Sequence, residues 1–294
     1  MEQKSTLFHI IKLIRVEQWT KNLIIFLPLF FNQQFDSIAD LKTCFLIFIW
    51  FSITASAVYC FNDIKDLAFD RLHPTKKNRP LASSAISKNI AILVMLVLLV
   101  LSAGIAVFQP LEVTGILLGY VLMNIAYTLF LKNIVIIDLI IVALGFVLRI
   151  FIAGTALDIY LSQWIIIMTF LLALFLIIAK RRDDLLIYTS QQIKARHNIN
   201  MYNLDFINAG LYITSSVIIV AYIMYTLSPE VMERFGSTHI YGTALFVIIG
   251  ILRYLQLTLV AKKSGNPTKL LLSDTFLQFT IVGWLLSFIF VIYL

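Results

Sequence analysis

A chain of 294 residues that is 60% hydrophobic and only 13% charged lacks the polar surface a soluble domain of this length needs, which excludes a water-solvated core and points to lipid as the solvent. The net charge of +7 follows from how cations are distributed between loops, so no nucleic-acid partner is implied. Two cysteines, Cys44 and Cys60, in or at the end of one apolar stretch read as packing residues, with no disulfide framework or zinc spacing.

Residues 1–21 keep a charged or polar side chain every few positions and read as an amphipathic lead-in at the membrane surface, with Trp19 as an interfacial anchor and no cleavable signal. Arg15, Gln18, Lys21 and Asn22 fall near that surface. Beyond it, about nine apolar stretches are expected to span the bilayer, near 22–35, 42–61, 89–108, 112–130, 134–156, 162–179, 207–227, 239–260 and 271–293. Most are long enough at 1.5 Å per residue to cross roughly 30 Å of hydrocarbon. The first is short and contains Pro28. No linker or composition shift divides the chain, so one helical membrane domain over residues 1–294 is expected.

In this threading nearly every cation falls on one side: Lys4, Lys12, Arg15, Lys21, the basic residues of 65–79, then Lys88, Lys132, Lys180, Arg181, Arg182, Lys194, Arg196, Lys262, Lys263 and Lys269. Lys42 and Arg234 alone lie opposite. By the positive-inside rule the long charged loops face the cytoplasm.

The first long loop follows the second span and reads NDIKDLAFDRLHPTKKNRPLA over 62–82. At about 100° per residue its Asn62, Asp63, Asp66 and Asp70 fall within an arc of roughly 100° on one helix face. Like charges on one face repel unless a cation sits among them, and hard oxygen ligands in this spacing suit Mg²⁺ together with a phosphate. A solvated helix end with incidental acids is the bland alternative. Downstream, Arg71, Lys76, Lys77 and Arg79 can answer remaining phosphate charge. His73, beside Pro74, serves equally well as a turn-orienting side chain.

The second long loop opens on Lys180, Arg181, Arg182, Asp183 and Asp184. Positive-inside anchoring explains the cations, whereas the adjoining acids suit a cluster that closes over metal and phosphate. Arg149 and Arg253 lie within apolar spans as cavity-lining cations or as partners of backbone carbonyls. Arg149 is about 16 Å from Asp138 along a regular helix, which excludes a direct pair.

The nine spans, the acidic motif beginning at Asn62 and the W-x-K-N of Trp19 to Asn22 resemble the UbiA superfamily of intramembrane prenyltransferases over nearly the whole chain. The resemblance implies an all-α bundle with a central cavity open to the cytoplasmic side of the inner membrane. It also implies Mg²⁺ held on a diphosphate by Asp63, Asp66 and Asp70. That superfamily usually carries a second aspartate ladder, where this chain has Lys180 to Asp184 instead. The departure, with His73 to Ala82, Leu131-Lys132, Gly145 to Arg149, and Arg253-Tyr254 followed by 264–274, looks like the decaprenyl-phosphate phosphoribosyltransferase branch. That branch moves a phosphoribosyl group from phosphoribosyl pyrophosphate onto a polyprenyl phosphate.

On that resemblance Asn62, Lys21, Asn22, Arg71, Lys76, Lys77, Arg79, Arg149, Lys180, Arg181, Arg182 and Asp184 are expected around the substrates. The lipid phosphate is already an anionic nucleophile, so no strong base is required. Rival readings are polyprenyl transfer to an aromatic acceptor, an anion transporter and a lipid-binding scaffold, with homo-oligomerisation a further option.

Overall fold

The computed structural model describes residues 6–32, 37–191, 198–262, 265 and 267–293. All regular structure in these residues is helical. The helices fall into two compact units, residues 1–162 with 191–198, and residues 163–190 with 199–294.

The first unit begins with α1 (Thr6–Leu13), a 3-10 helix (Val16–Phe26) and the five-residue α2 (Leu27–Phe31). It continues with α3 (Ile38–Lys65), α4 (Leu67–Leu72), α5 (Lys88–Ala106), α6 (Leu111–Leu129) and α7 (Ile137–Ala156). Side chains define several starts: Ser37 accepts from the Asp40 amide and Ser87 from the Ile90 amide, each satisfying one orphan donor of a helix end. Helix α3 is the axis of the unit. Its residues Ile47, Trp50, Phe51 and Ala55 pack with Ile25, Leu117, Tyr120 and Ile152 into one buried cluster.

Small polar groups tie α3 to α5 inside this apolar setting. Trp50 Nε1 donates to the Ser102 carbonyl at 2.9 Å, and the hydroxyls of Thr54 and Ser102 are 2.7 Å apart. With lipid outside there is little hydrophobic force between helices, so such bonds and close packing hold them together. The lipid-facing side of α5 is bare hydrocarbon, with Leu93, Leu96, Val97 and Val100 exposed.

The second unit holds α8 (Gln163–Gln191), α9 (Leu204–Leu227), α10 (Pro229–Phe235), α11 (Ala244–Leu259), α12 (Pro267–Ser273) and α13 (Thr275–Tyr293). Pro229 at the start of α10 and Gly236 at φ 62 just past its end bracket that helix as backbone sterics require. Trp284 Nε1 donates to Tyr222 Oη at 2.6 Å, and Tyr222 contacts the Thr243 hydroxyl at 2.8 Å, which joins α13, α9 and the turn before α11.

Among the described residues seven helices are long and apolar enough to cross a membrane: α3, α5, α6, α7, α8, α9 and His239–Leu259, with Thr275–Val291 a shorter apolar helix. The chain is therefore an integral, multi-pass membrane protein. The expected first span differs most. Residues 16–31 form the 3-10 helix and α2, with Pro28 at the helix start, where its missing N–H costs nothing. Of the cations used to orient the chain, Lys4, Lys194, Arg196 and Lys263 lie outside the described residues.

Candidate active site

The acidic motif does not lie on one uninterrupted face. Helix α3 ends at Asp66, whose φ of −93° and ψ of 8° start α4. Backbone bonds still carry across the bend, from the Asp66 amide to the Asn62 carbonyl at 2.8 Å and from the Asp70 amide to the Asp66 carbonyl at 2.9 Å. The result is two pairs of side chains turned to different neighbours.

Asp63 and Asp70 form the first pair, both 3% exposed. One nitrogen of Arg79 lies 3.1 Å from Asp63 Oδ1 and 2.5 Å from Asp70 Oδ2. Arg15 also pairs with Asp63. Arg15 sits in the left-handed region at φ 54°, ψ 50°, between α1 and the 3-10 helix, which costs a non-glycine residue about 1–2 kcal/mol. An ion pair to a buried carboxylate is a stated return for that strain. The Arg15 guanidinium also lies 5.1 Å from the centre of the Tyr59 ring.

Asn62 and Asp66 form the second pair, turned toward the end of α6. Asn62 accepts from the Thr128 hydroxyl, and Asp66 pairs with Lys132. Thr128 lies in the last turn of α6, and Lys132 in the 3-10 turn Leu131–Asn133 that follows it.

The loop after α4 is organised to deliver Arg79. His73 Nδ1 accepts from the Thr75 and Lys76 amides at 3.2 and 3.3 Å, capping the short 3-10 turn Lys76–Asn78. His73 thus shapes the turn that precedes Arg79. Burial pushes the Arg79 guanidinium below its ordinary range, with Arg15 adding to that shift and the two carboxylates opposing it. Arg71 and Lys77 are exposed and Lys76 is half-buried; no ion pair joins Arg71 or Lys77 to the motif carboxylates.

A second polar layer lies along α3 from Asp63. Trp19 Nε1 donates to the Ser56 hydroxyl at 3.0 Å, and Asn22 Nδ2 to the Ser52 hydroxyl at 2.8 Å. Arg149 Nε donates to Asn22 Oδ1 at 2.7 Å, and another guanidinium nitrogen to the Gly145 carbonyl at 2.5 Å. The Arg149 guanidinium carbon is 4.7, 5.1 and 5.3 Å from the ring centres of Phe51, Phe146 and Tyr120, a cation held against aromatic faces. Lys21, half-buried in the 3-10 helix, is pushed below the ordinary lysine range by burial; Arg149 and Arg15 act the same way and Tyr59 opposes them.

In the second unit the Lys180–Asp184 segment is the last part of α8, and its arginines are engaged there. Arg182 donates to Asn208 Oδ1 at 3.0 Å and to the Thr258 carbonyl at 2.7 Å, linking α8 to α9 and α11. Arg181, 1% exposed, pairs with Asp184 at 3.2 Å. Lys180 is half-buried. Arg253 pairs with Asp274 through two contacts of 2.7 and 3.2 Å, and Asp274 accepts from the Leu277 amide at the start of α13. Arg253 thus anchors a helix start through a carboxylate rather than through backbone carbonyls.

Arg15 and Lys132 were not among the expected site residues, although both contact the motif. They lie 48 and 66 positions from their carboxylate partners, beyond any local spacing rule. The signal available was Lys132 directly after an apolar span.

Among the described residues no group of three or more metal-ligating side chains stands assembled. The donor set nonetheless fits a divalent ion. Asp63 and Asp70 are buried carboxylates, hard-oxygen donors that converge on one cationic nitrogen of Arg79, and a magnesium ion would satisfy the same electrostatic need.

The UbiA prenyltransferase family matches residues 25–277. Decaprenyl-phosphate phosphoribosyltransferase of Mycolicibacterium smegmatis is 26% identical over 292 residues, covering 96% of this chain and 92% of that one. The Mycobacterium tuberculosis protein of the same name is 28% identical over 281 residues, covering 94% and 91%. Among solved structures, a UbiA homolog from Archaeoglobus fulgidus bound to GPP and Mg²⁺ superposes with a TM-score of 0.69 at 18% identity, covering 97% of this chain and 100% of that chain. A fold built from these helices, with an acidic motif at the junction of α3 and α4, makes this chain a member of the UbiA prenyltransferase family.

Proposed function

We propose that this chain transfers a 5-phosphoribosyl group from phosphoribosyl pyrophosphate to a polyprenyl phosphate, releasing pyrophosphate, with Mg²⁺ as cofactor. The observation that carries the reading is near-full-length likeness to relatives named for that transfer, in a chain whose cations and carboxylates meet at one motif. The reaction takes place at a cavity open to the cytoplasmic side of the inner membrane, within one UbiA-like domain.

In that reaction the bond between the anomeric carbon and the pyrophosphate oxygen breaks, and the leaving group departs with the electron pair. An oxygen of the lipid phosphate forms the new bond. No proton need move, because the nucleophile is already an anion. Asp63, Asp66 and Asp70 would hold Mg²⁺, which neutralises charge on the departing pyrophosphate.

The chain's own cations complete the electrostatics. Arg79, Arg15 and Lys132, which pair with these carboxylates, would be available to donate to phosphate oxygens once the carboxylates hold Mg²⁺. Asn62, fixed by Thr128, keeps a neutral ligand in place. Arg71, Lys76 and Lys77 supply a positive rim at the entrance. Arg181 and Arg182 are engaged within the second unit, by Asp184 and by Asn208 and the Thr258 carbonyl.

Membranes containing the protein, incubated with labelled phosphoribosyl pyrophosphate and polyprenyl phosphate, should form a labelled lipid in Mg²⁺ and none in chelator. A second reading is polyprenyl transfer from a polyprenyl diphosphate, favoured by the fold's likeness to homologs bound to GPP or DMAPP. Incubation with polyprenyl diphosphate and an aromatic acid tests it; a lipid product there alone would replace the first reading.

A further inference from the structure

The segment from Asp70 to Arg79 closes on itself through four hydrogen bonds. The His73 amide donates to the Asp70 carbonyl at 3.3 Å, and the Lys76 amide donates to His73 Nδ1 at 3.3 Å. The Arg79 amide donates to the Lys76 carbonyl at 2.9 Å, and the Arg79 guanidinium returns to Asp70 Oδ2 at 2.5 Å. Two of these links are backbone to backbone and one is the ion pair itself. The imidazole supplies the remaining link, and the proposed reaction gives it no other task.

The local sequence explains why an acceptor is needed there. Pro74 has no N–H and biases the residue before it to extended backbone, and His73 has φ −78° and ψ 136°. The first amides past the proline, those of Thr75 and Lys76, converge on His73 Nδ1 at 3.2 and 3.3 Å, with the Thr75 hydroxyl oxygen also 3.2 Å away. A ring nitrogen that accepts carries no proton, so His73 is held as the Nε2–H tautomer. The chain beyond Arg79 is anchored as well: Leu81 and Ile86 pack with Leu13, Cys60 and Ala91 in a buried cluster. Between that anchor and the end of α4, the turn at Thr75–Asn78 sets how far the Arg79 backbone stands from the two carboxylates. Its tolerance is small, because Arg79 already lies 3.1 Å from Asp63, and a further shift of about 1 Å exceeds hydrogen-bond range.

We propose that His73 is a positioning residue, which by accepting at Nδ1 fixes the turn that holds Arg79 between Asp63 and Asp70. It acts through Arg79 and not on substrate. The effect on turnover rests on the phosphoribosyl-transfer reading, in which Arg79 meets phosphate charge, whereas the placement of Arg79 rests on these contacts alone. A buried histidine that only filled space would not depend on an acceptor at one ring position.

Two substitutions separate the ring positions. In His73→Asn the side-chain oxygen falls where Nδ1 stands and can still accept. In His73→Gln the oxygen falls near the place of Nε2, and the Thr75 and Lys76 amides lose their acceptor. In steady state His73→Asn should keep kcat within about threefold of wild type, and His73→Gln should lower it about ten- to a hundred-fold, the scale for misplacing a contact by about 1 Å. Equal loss in both variants would assign His73 to packing, and wild-type turnover in both would detach it from Arg79; either result overturns the proposal.

A second measurement needs no turnover. Thermal unfolding of the full-length protein in detergent and chelator is followed for His73→Asn, His73→Gln, Arg79→Gln and the His73→Gln/Arg79→Gln double variant. His73→Asn should melt close to wild type. If the imidazole works by holding Arg79, the other losses should not add, and the double variant should melt within about 2 °C of Arg79→Gln alone. Summed losses, or a His73→Asn protein that melts as low as His73→Gln, would overturn the proposal. Because the cycle uses neither metal nor phosphoribosyl pyrophosphate, non-additive melting in a protein that fails to transfer phosphoribosyl would overturn the activity and leave the role of His73 standing.

Discussion

Arg79 and Asp70 meet at 2.5 Å, and the same guanidinium nitrogen lies 3.1 Å from Asp63. One arginine thus holds together two buried carboxylates from either side of the bend at Asp66. A single positive centre sits between the two acids, and on the proposed reading Asp63 and Asp70 would hold Mg²⁺ in its stead. Without Arg79, Asp70 would lose its arginine partner and Asp63 would keep Arg15 alone, which is the expensive way to break a buried pair.

Replacing Arg79 by Gln should therefore destabilise the metal-free protein by roughly 1–3 kcal/mol, the cost of leaving buried charged partners unmatched at a site still partly open to water. Saturating Mg²⁺ should recover much of the loss, because a ligand that binds only the folded state stabilises it by mass action. Thermal unfolding of wild type and variant in chelator and in Mg²⁺ checks this. Equal loss in both buffers would show that Arg79 does not share its position with a cation.

Asp66→Asn should lower turnover by about 10²–10³-fold, the scale for removing one preorganised electrostatic contact at a reacting centre. The fold should survive, since Asp66 is the most exposed of the three acids, at 35% against 3% for Asp63 and 5% for Asp70. Gel filtration and circular dichroism should match wild type. Wild-type turnover in this variant would remove Asp66 from the metal site.

Arg182→Gln should behave differently. Its guanidinium joins α8 to the Asn208 side chain and to the Thr258 carbonyl, so its removal leaves polar groups of two helices unmatched. The expected result is a loss of about 1–3 kcal/mol in stability, with KM values for both substrates unchanged in the protein that remains folded. A selective rise in one KM would place Arg182 on a phosphate instead.

How far the sequence carried the structure depends on the range of the interaction. Membrane solvation and the helical class were legible because apolar runs of fixed length leave few alternatives. Asp63, Asp66 and Asp70 were legible as a cluster because their spacing is local, whereas the pairing of Arg79 with Asp63 and Asp70 was not, since its charge was assigned to phosphate. The bend at Asp66 was hidden: helical spacing alone assigns all four motif residues to one face, whereas the bend turns Asn62 and Asp66 toward α6. Arg15 and Lys132 were hidden for another reason, since their pairing depends on which helices become neighbours. Arg149 was legible as a buried cation but not as the partner of Asn22, 127 residues away. Arg182 looked like a membrane-edge cation and is a helix clamp, a distinction that only packing makes.

Lys21 gives the site a pH dependence whose sign follows from its surroundings. Burial favours the neutral amine, and Arg149 and Arg15 favour it further, so the ammonium loses its proton at lower pH than an ordinary lysine. Tyr59 and Glu17 oppose the shift but do not reverse it. The charge is fully present at low pH and disappears as pH rises through the lowered pKa. A substrate phosphate held by that charge, the role the family resemblance implies for Lys21, should accordingly bind less well as pH rises, in a range where free lysine, with its pKa near 10.4, is still protonated. The KM of the affected substrate should climb about ten- to a hundred-fold across that transition, while the KM of the other stays flat. Lys21→Arg should abolish the climb, because a guanidinium stays protonated throughout. A profile unchanged by Lys21→Arg would assign the pH dependence to another group, and a flat profile in wild type would mean that Lys21 keeps its proton or holds no phosphate.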